Sequence, residues 1–416
     1  MKKNSIRRIT TTLLALCALC INTYANDGEF HVNGNHLIPI SNTDIKIAKE
    51  ILTIYVSDTS RHTSVDVDYT FINTSSKPKK VRMGFEASML EDSDAILPKE
   101  GHQGHPCIYD FVVEMNGKQI KYTNEYAFII DSTTTDYKHF PVDKTKWENT
   151  SKEYRDEHGW WDEGLWNKKT NEYRPYAYVY YFEATFLPGE NKIHHTYKYD
   201  CGYDLENRYL ITYWLTPAMR WNNKKIEDFT LRISAENTTE HFSLFGPFDK
   251  GTFNIVYGNG KFRNNGDGKE IVMRNGMLEY HCADFVPEHD LSIVSQDRFF
   301  YEDLHQIKDS EVGEDEYASS KVSVDDICKF GYYNIWYAIS DSYGENLAKT
   351  ILTLSDWEKR VLRNLPYARR GYVFKDKKLA DYFSQFYWYM PDPSWTPSQA
   401  DFTEWERDFV KSFSQK

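Results

Sequence analysis

The chain has 416 residues, with 50 Lys and Arg against 62 Asp and Glu and a formal net charge of -12. That length admits several domains of roughly 100 to 200 residues each, and 40% hydrophobic residues, including 31 Tyr, 24 Phe and 11 Trp, exclude a chain disordered throughout. The acidic balance argues against a nucleic-acid partner, which needs basic excess where the phosphates sit.

Lys2, Lys3, Arg7 and Arg8 precede an apolar run from Leu13 to Ile21, and the pattern Thr23-Tyr24-Ala25 follows. This is the layout of a secretory signal peptide. Residues 1–25 are therefore expected to be removed after Ala25, and the protein to be exported to the periplasm or the extracellular space. The apolar run is about half of a bilayer crossing, and no later segment approaches roughly 18 consecutive apolar residues, so no transmembrane span is expected in the mature protein. Cys17 and Cys20 both follow leucine, whereas a lipid-attachment cysteine should follow a small residue. Cleavage leaves 46 basic against 62 acidic side chains, a net charge of -16, and the four cysteines Cys107, Cys201, Cys282 and Cys328. An even count in an exported chain permits disulfides. Cys201 and Cys282, both in strand-like segments, are the candidate pair; the alternative is that all four are buried thiols.

From residue 50 to about 300 the pattern is period-two alternation broken by turn residues. Val65, Val67, Tyr69 and Phe71 alternate with Asp66, Asp68, Thr70 and Ile72, a half-buried strand ending at Asn73-Thr74-Ser75-Ser76. Phe111 to Met115, Asn116-Gly117 and Lys118 to Tyr122 predict a hairpin, because Asn-Gly supplies the two positive-φ residues of a tight type I′ turn. A second hairpin is expected at Phe186-Leu187-Pro188-Gly189-Glu190, pairing Tyr178 to Phe186 with Ile193 to Tyr199. Further strands are expected at Tyr209 to Thr216, Phe229 to Ser234, Thr252 to Tyr257 and Met277 to Cys282. The fold class is mainly β with a small α-helical C-terminal domain, that is, antiparallel β-sandwich-like structure followed by a helical module.

The segment Asp309 to Glu316 holds five acids in eight residues and reads as a linker. Beyond it, Ser355-Asp356-Trp357-Glu358 fits a capping box, and Gly371 stands where a helix should stop after Leu362, Leu365 and Tyr367. A second helix is expected from Lys377 to Tyr387. A third is expected to start at Thr396-Pro397-Ser398-Gln399, with Phe402, Trp405 and Phe409 at helical spacing.

Within this tail, residues 354–395 resemble the YARHG domain, a small bacterial extracellular module, through Tyr367-Ala368-Arg369-Arg370-Gly371 and the following Tyr372, Phe374, Asp376, Leu379, Phe383, Trp388 and Tyr389. The family histidine is Arg370 here. Residues 26 to about 295 are similar to an uncharacterised family of exported β-rich bacterial proteins, through Ala25-Asn26-Asp27, Phe71-Ile72-Asn73-Thr74, Tyr209 to Trp221 and Asp284-Phe285-Val286-Pro287. These resemblances imply an exported bacterial protein with an accessory C-terminal module. The expected division is a signal peptide over 1–25, a β-sandwich-like region of one or two lobes over 26–300 with an insertion at 140–175, an acidic linker over 301–330 and a helical YARHG-like domain over 331–416.

On physical grounds the motif reads as scaffold. Gly371 can supply the positive φ that ends a helix, and Tyr367, Tyr372, Phe374, Phe383 and Trp388 can form one small aromatic core. Arg369 and Arg370 can complement the carbonyls at a helix end or grip a carboxylate or phosphate.

Common catalytic signatures are missing: there is no Gly-x-Ser-x-Gly, no His-Glu-x-x-His and no phosphate loop. No catalytic residue is assigned and no cofactor is expected. His102-Gln103-Gly104-His105-Pro106-Cys107 brings His102, His105 and Cys107 close enough to share a metal ion, but no fourth ligand can be named and no metal site is assigned. His194-His195 cannot chelate as a pair, because adjacent strand residues point to opposite faces. In the insertion, Trp160, Trp161 and Trp166 surround Asp162 and Glu163. The rings are candidate ligand-binding residues, as are Arg369 and Arg370, and two carboxyl groups beside rings also fit sugar hydrolysis. The expected function is that of a non-catalytic binding module for cell-wall glycan or an envelope protein partner. The competing expectation is a hydrolase acting on envelope glycan or peptide.

Overall fold

The computed structural model describes residues 37–39, 44–56, 62–87, 108–128, 140–141, 148–149, 165–167, 169–170, 172–174, 176–201, 209–296, 324–330, 354–402 and 404–414. The first strands are β1 (Leu37–Pro39), β2 (Ile45–Tyr55), β3 (His62–Asn73), β4 (Lys79–Ala87), β5 (Tyr109–Met115), β6 (Lys118–Gln119) and β7 (Thr123–Phe128). Short strands follow at β8 (Phe140–Pro141), β9 (Glu148–Asn149), β10 (Leu165–Asn167) and β11 (Glu172–Arg174). The long ones come next: β12 (Tyr176–Phe186), β13 (Gly189–Asp200), β14 (Leu210–Tyr213), β15 (Ile226–Phe245), β16 (Thr252–Asn265), β17 (Gly268–Phe285) and β18 (Leu291–Ser295). Four α-helices among the described residues complete the chain: α1 (Val324–Phe330), α2 (Asp356–Arg369), α3 (Lys377–Ser384) and α4 (Glu404–Ser412). The fold is mostly β, with helices gathered at the C-terminus, as the alternation and the tail punctuation predict.

A five-stranded sheet, order β1-β4-β12-β7-β8, packs on a ten-stranded one, order β14-β18-β15-β2-β3-β13-β5-β6, to which β16 and β17 attach through β15. The alternation in β3 sets the packing. Val65, Val67, Tyr69 and Phe71 enter the core between the sheets, while Asp68 is exposed. Rings close the gap: Phe85 of β4 meets Phe111 and Tyr197 of the larger sheet, each at 4.9 Å, and Phe186 of β12 meets Phe71 at 5.5 Å. The aromatic excess in the composition is in large part this core. A three-stranded sheet, β11-β10-β9, falls in the expected insertion.

Three expectations about strands and helices are corrected. First, Tyr178–Phe186 and Ile193–Tyr199 do not form a hairpin. β12 lies between β4 and β7, whereas β13 lies between β3 and β5, so the Leu187-Pro188-Gly189 turn carries the chain from one sheet to the other. Asn191 pins this corner, accepting from the Leu187 N–H at 2.9 Å and donating to the Leu187 carbonyl at 2.8 Å. Second, the ladder is not wholly antiparallel, because β2 and β15 pair in parallel. Third, Ser398 caps a 3-10 turn at Gln399–Asp401, and α4 begins only at Glu404, so Thr396 does not start the third helix. The Asn116-Gly117 turn is as predicted, with both residues at positive φ and Met115 paired with Lys118. Its second strand is only two residues long.

The proposed Cys201–Cys282 disulfide is absent. Cys201 directly follows β13, and its sulfur lies 2.8 Å from Thr63 Oγ1, while Cys282 sits in β17, bonded to the Ala283 carbonyl. Strands β3, β2 and β15 intervene between the two. Four strand spacings of about 4.8 Å each exceed the roughly 7 Å that a disulfide can span. Alkylation of the unfolded, unreduced chain is expected to label both cysteines, as read by peptide mass; recovery of a linked Cys201–Cys282 peptide would contradict the register.

Candidate functional site

The YARHG-type motif forms the end of α2. Ser355 and Glu358 make the reciprocal capping box at its start. At its end the Tyr372 N–H reaches the Tyr367 carbonyl at 3.0 Å, and the Gly371 N–H reaches the Ala368 carbonyl at 2.9 Å. With Gly371 at φ +83° and the Tyr367 and Tyr372 rings 6.2 Å apart, this is a Schellman cap with its hydrophobic contact. Phe374 stacks on Phe383 at 5.1 Å, and Trp388 and Tyr389 complete the ring cluster. Tyr389 donates to the Tyr372 carbonyl at 2.6 Å.

The two motif arginines are used within the module. Arg370 donates to the Pro366 and Asp401 carbonyls and pairs with the buried Glu406 at 2.6 Å, tying α4 to the end of α2. The Arg369 guanidinium lies 4.0 Å over the Trp388 ring. Trp160, Trp161, Asp162, Glu163, His102, His105 and Cys107 lie outside the described residues. Trp166 falls in β10, opposite Tyr173. His194 and His195 do point apart: His195 is in the core against Phe85 at 5.2 Å, and His194 is on the outer face.

The module sits on β15, β16 and β17. Their register sets Ser243, Glu270 and Arg263 in one row, His241, Val272 and Lys261 in the next, and Thr239, Arg274 and Asn259 in a third. Alternation sends Phe242, Leu244, Ile271 and Met273 into the sandwich core, which leaves this polar set on the opposite face. Val272 joins the core of the helical module. Arg274 donates to the Met390 carbonyl at 3.1 Å and faces Asp392 at 3.7 Å, and Lys261 donates to the Tyr389 carbonyl at 3.2 Å.

Beside these contacts the two parts leave a cleft of about 570 Å³, lined by His241, Lys261, Arg263, Glu270 and Gln296 from the sheet and by Lys329 and the Ser384–Trp388 segment from the module. Glu270, almost fully buried, accepts from His241 Nε2 at 2.8 Å and from Arg263 Nε at 2.6 Å. Burial alone would raise its pKa; the hydrogen bonds from His241 and Arg263 outweigh that and hold it below the usual range, so it is ionised. Lys261 is shifted down, first by burial and then by the Arg263 charge. Arg263 and Lys261 lie 4.0 and 4.6 Å over the Tyr387 ring, and Phe386 stacks on Trp388 at 5.7 Å. His241 is buried, and among the described residues neither its Nδ1 nor the Tyr387 hydroxyl has a hydrogen-bond partner. The cleft thus concentrates cations and rings around a carboxylate that is already neutralised.

Apart from Trp388, the sequence pattern alone does not single out these residues. The available signal is parity: Lys261, Arg263 and Asn265 alternate with Phe262, and Glu270, Val272 and Arg274 alternate with Ile271 and Met273.

Residues 335–416 match the YARHG domain, and residues 25–209 match a domain of unknown function, DUF4424. The chain therefore carries a C-terminal YARHG domain behind a β-rich N-terminal domain of that uncharacterised type. Comparison with curated protein sequences gives no match. Among solved structures, a candidate nutrient binding protein from Legionella pneumophila subsp. pneumophila str. Philadelphia 1 is 18% identical, with 93% of this chain and 99% of that one covered and a TM-score of 0.46. Native leukotriene A4 hydrolase from Saccharomyces cerevisiae is 7% identical over 57% of this chain and 29% of that one, with a TM-score of 0.19. At these identities and TM-scores neither likeness bears on ligand or chemistry. Among the described residues no helix is long and apolar enough to cross a membrane.

Proposed function

We propose that this protein is an exported binding protein of the cell envelope, and that the cleft between the β15–β17 face and the YARHG domain holds an anionic cell-wall glycan. One observation carries this reading: Lys261, Arg263 and Lys329 converge on a cleft whose carboxylate, Glu270, is already engaged by His241 and Arg263. Such an excess of positive charge in a chain of formal charge -12 favours a ligand that brings its own negative charge. The rings of Tyr387 and Trp388 beside the cations suit a sugar face next to its carboxylate or phosphate, the cations supplying charge-assisted hydrogen bonds. The basic, apolar and small-residue order of residues 1–25 supports export.

Sedimentation with insoluble peptidoglycan tests the reading. The chain is expected to pellet with the glycan at low salt and to be released as salt screens the contact. Lys329→Glu, an exposed change on α1, combined with Arg263→Gln, is expected to weaken binding at least about tenfold, since hydrogen bonds to charged groups are worth about 1.5–3 kcal/mol each. Unchanged pelleting by the double variant, or protein left wholly in the supernatant, would remove the support for this cleft.

A further inference from the structure

A second cluster lies on the outer face of the larger sheet, built from strands that the cleft does not use. Asp66 and Asp68 stand two apart on β3 and so share one face, and His194 of β13 is the register partner of Asp68. His194 Nδ1 is 3.0 Å from Asp68 Oδ1 and 3.6 Å from Asp66 Oδ1, and one ligand atom from each of the three side chains lies within 4.8 Å of the others. Glu114 of β5 is the register partner of His194 on its other side.

From this geometry we infer that Asp66, Asp68 and His194 form a binding site for a divalent transition-metal ion. The donor set is mixed, two carboxylates and one imidazole, which suits zinc, manganese or iron(II) better than a purely oxygen-seeking ion. Three protein ligands on an open face leave further positions for water, as in open zinc sites.

Two observations separate the cluster from ordinary surface charge. The frame is rigid, because β3 lies between β2 and β13, and β13 between β3 and β5, each side laddered by hydrogen bonds. Other charges on the strands of this face are paired: Asp228 with Lys49, Glu279 with Arg232 and Asp110 with Lys198. Among the described residues, Asp66 and Asp68 have only the shared His194 as ion-pair partner. A dication between the two carboxylates would offset the repulsion of like charges held on one face, with a His194 ring nitrogen as the third ligand.

The test is calorimetric titration of the full chain, purified without a histidine tag, with zinc chloride at near-neutral pH. One ion per chain is expected. His194→Ala and Asp68→Asn should each weaken it at least about tenfold, the lower end of what disturbing a metal's surroundings costs, while the metal-free variants keep the wild-type melting temperature because Asp68 is exposed and His194 lies on the outer face of the sheet, partly in solvent and outside the core. Absence of zinc binding would overturn the inference. So would affinity unchanged in His194→Ala, or affinity lost in His102→Ala/His105→Ala while both sheet variants bind normally, which would place the ion on the 102–107 loop.

Discussion

Replacing Gly371 with alanine is expected to destabilise the helical domain by about 2–5 kcal/mol and to loosen its seat on the sheet. Two independent costs combine at this one atom. At φ +83° an L-residue pays about 1–2 kcal/mol for the left-handed backbone. The added Cβ would also collide with the Arg274 guanidinium of β17 and the Met390 carbonyl, a packing clash worth about 1–3 kcal/mol. The backbone there is held from both sides, since the Asp392 N–H bonds to the Gly371 carbonyl at 2.7 Å. Urea unfolding followed by near-ultraviolet circular dichroism would measure the loss. Because part of the cost arises against Arg274, a second substitution, Arg274→Ala, should recover part of the Gly371→Ala deficit as a favourable coupling. A Gly371→Ala midpoint equal to wild type would show that the motif glycine is not read by the sheet.

Stability should also fall as pH rises between about 4.5 and 8, through Glu50. This side chain is wholly buried beneath β2, with the Tyr213 hydroxyl 3.5 Å from Oε1 and the Tyr69 hydroxyl 3.2 Å from that of Tyr213. Burial raises its pKa from 4.5 to about 8, against the hydrogen bonds of the two tyrosines. The folded state therefore keeps a proton that the unfolded state gives up above about pH 4.5. The contribution is complete below that value and is lost as pH climbs to about 8, at about 1.4 kcal/mol per pH unit. Glu50→Gln keeps a neutral hydrogen-bonding group in place and should abolish this slope, leaving the variant several kcal/mol more stable than wild type near pH 8.5 and close to it near pH 4. Denaturation curves of the two proteins that stay parallel across that range would refute the assignment.

These two sites show what sequence could and could not reveal. Gly371 was legible because a helix stop needs a positive-φ residue after an apolar stripe; its contact with Arg274 was not, because that partner lies 97 positions away and reads as an ordinary strand charge. The β3 strand was legible from strict alternation, and the Asn116-Gly117 turn from backbone chemistry. The supposed hairpin at Leu187-Pro188-Gly189 failed because alternation tells which face is buried and not which neighbour pairs: Phe186 and Ile193 enter the same core from opposite sheets. β15 and β17 run 20 and 18 residues, much longer than the apolar segments Phe229 to Ser234 and Met277 to Cys282 suggest. Their remaining lengths carry charge on one face because a helical domain covers them, so local hydropathy resembles that of a solvated loop. For the same reason Lys261, Arg263 and Glu270 give no local motif: the cleft exists only once β16, β17 and the end of α3 are brought together.

Hydrogen exchange of the full chain with and without a soluble anionic peptidoglycan fragment tests the central claim most directly. Binding in the cleft predicts slower exchange on both of its walls at once, in peptides spanning 261–270 and 384–388, and loss of that protection in the Lys329→Glu/Arg263→Gln variant. Protection confined to peptides around Trp160 and Trp161, with residues 261–270 and 384–388 exchanging as in the ligand-free protein, would contradict it.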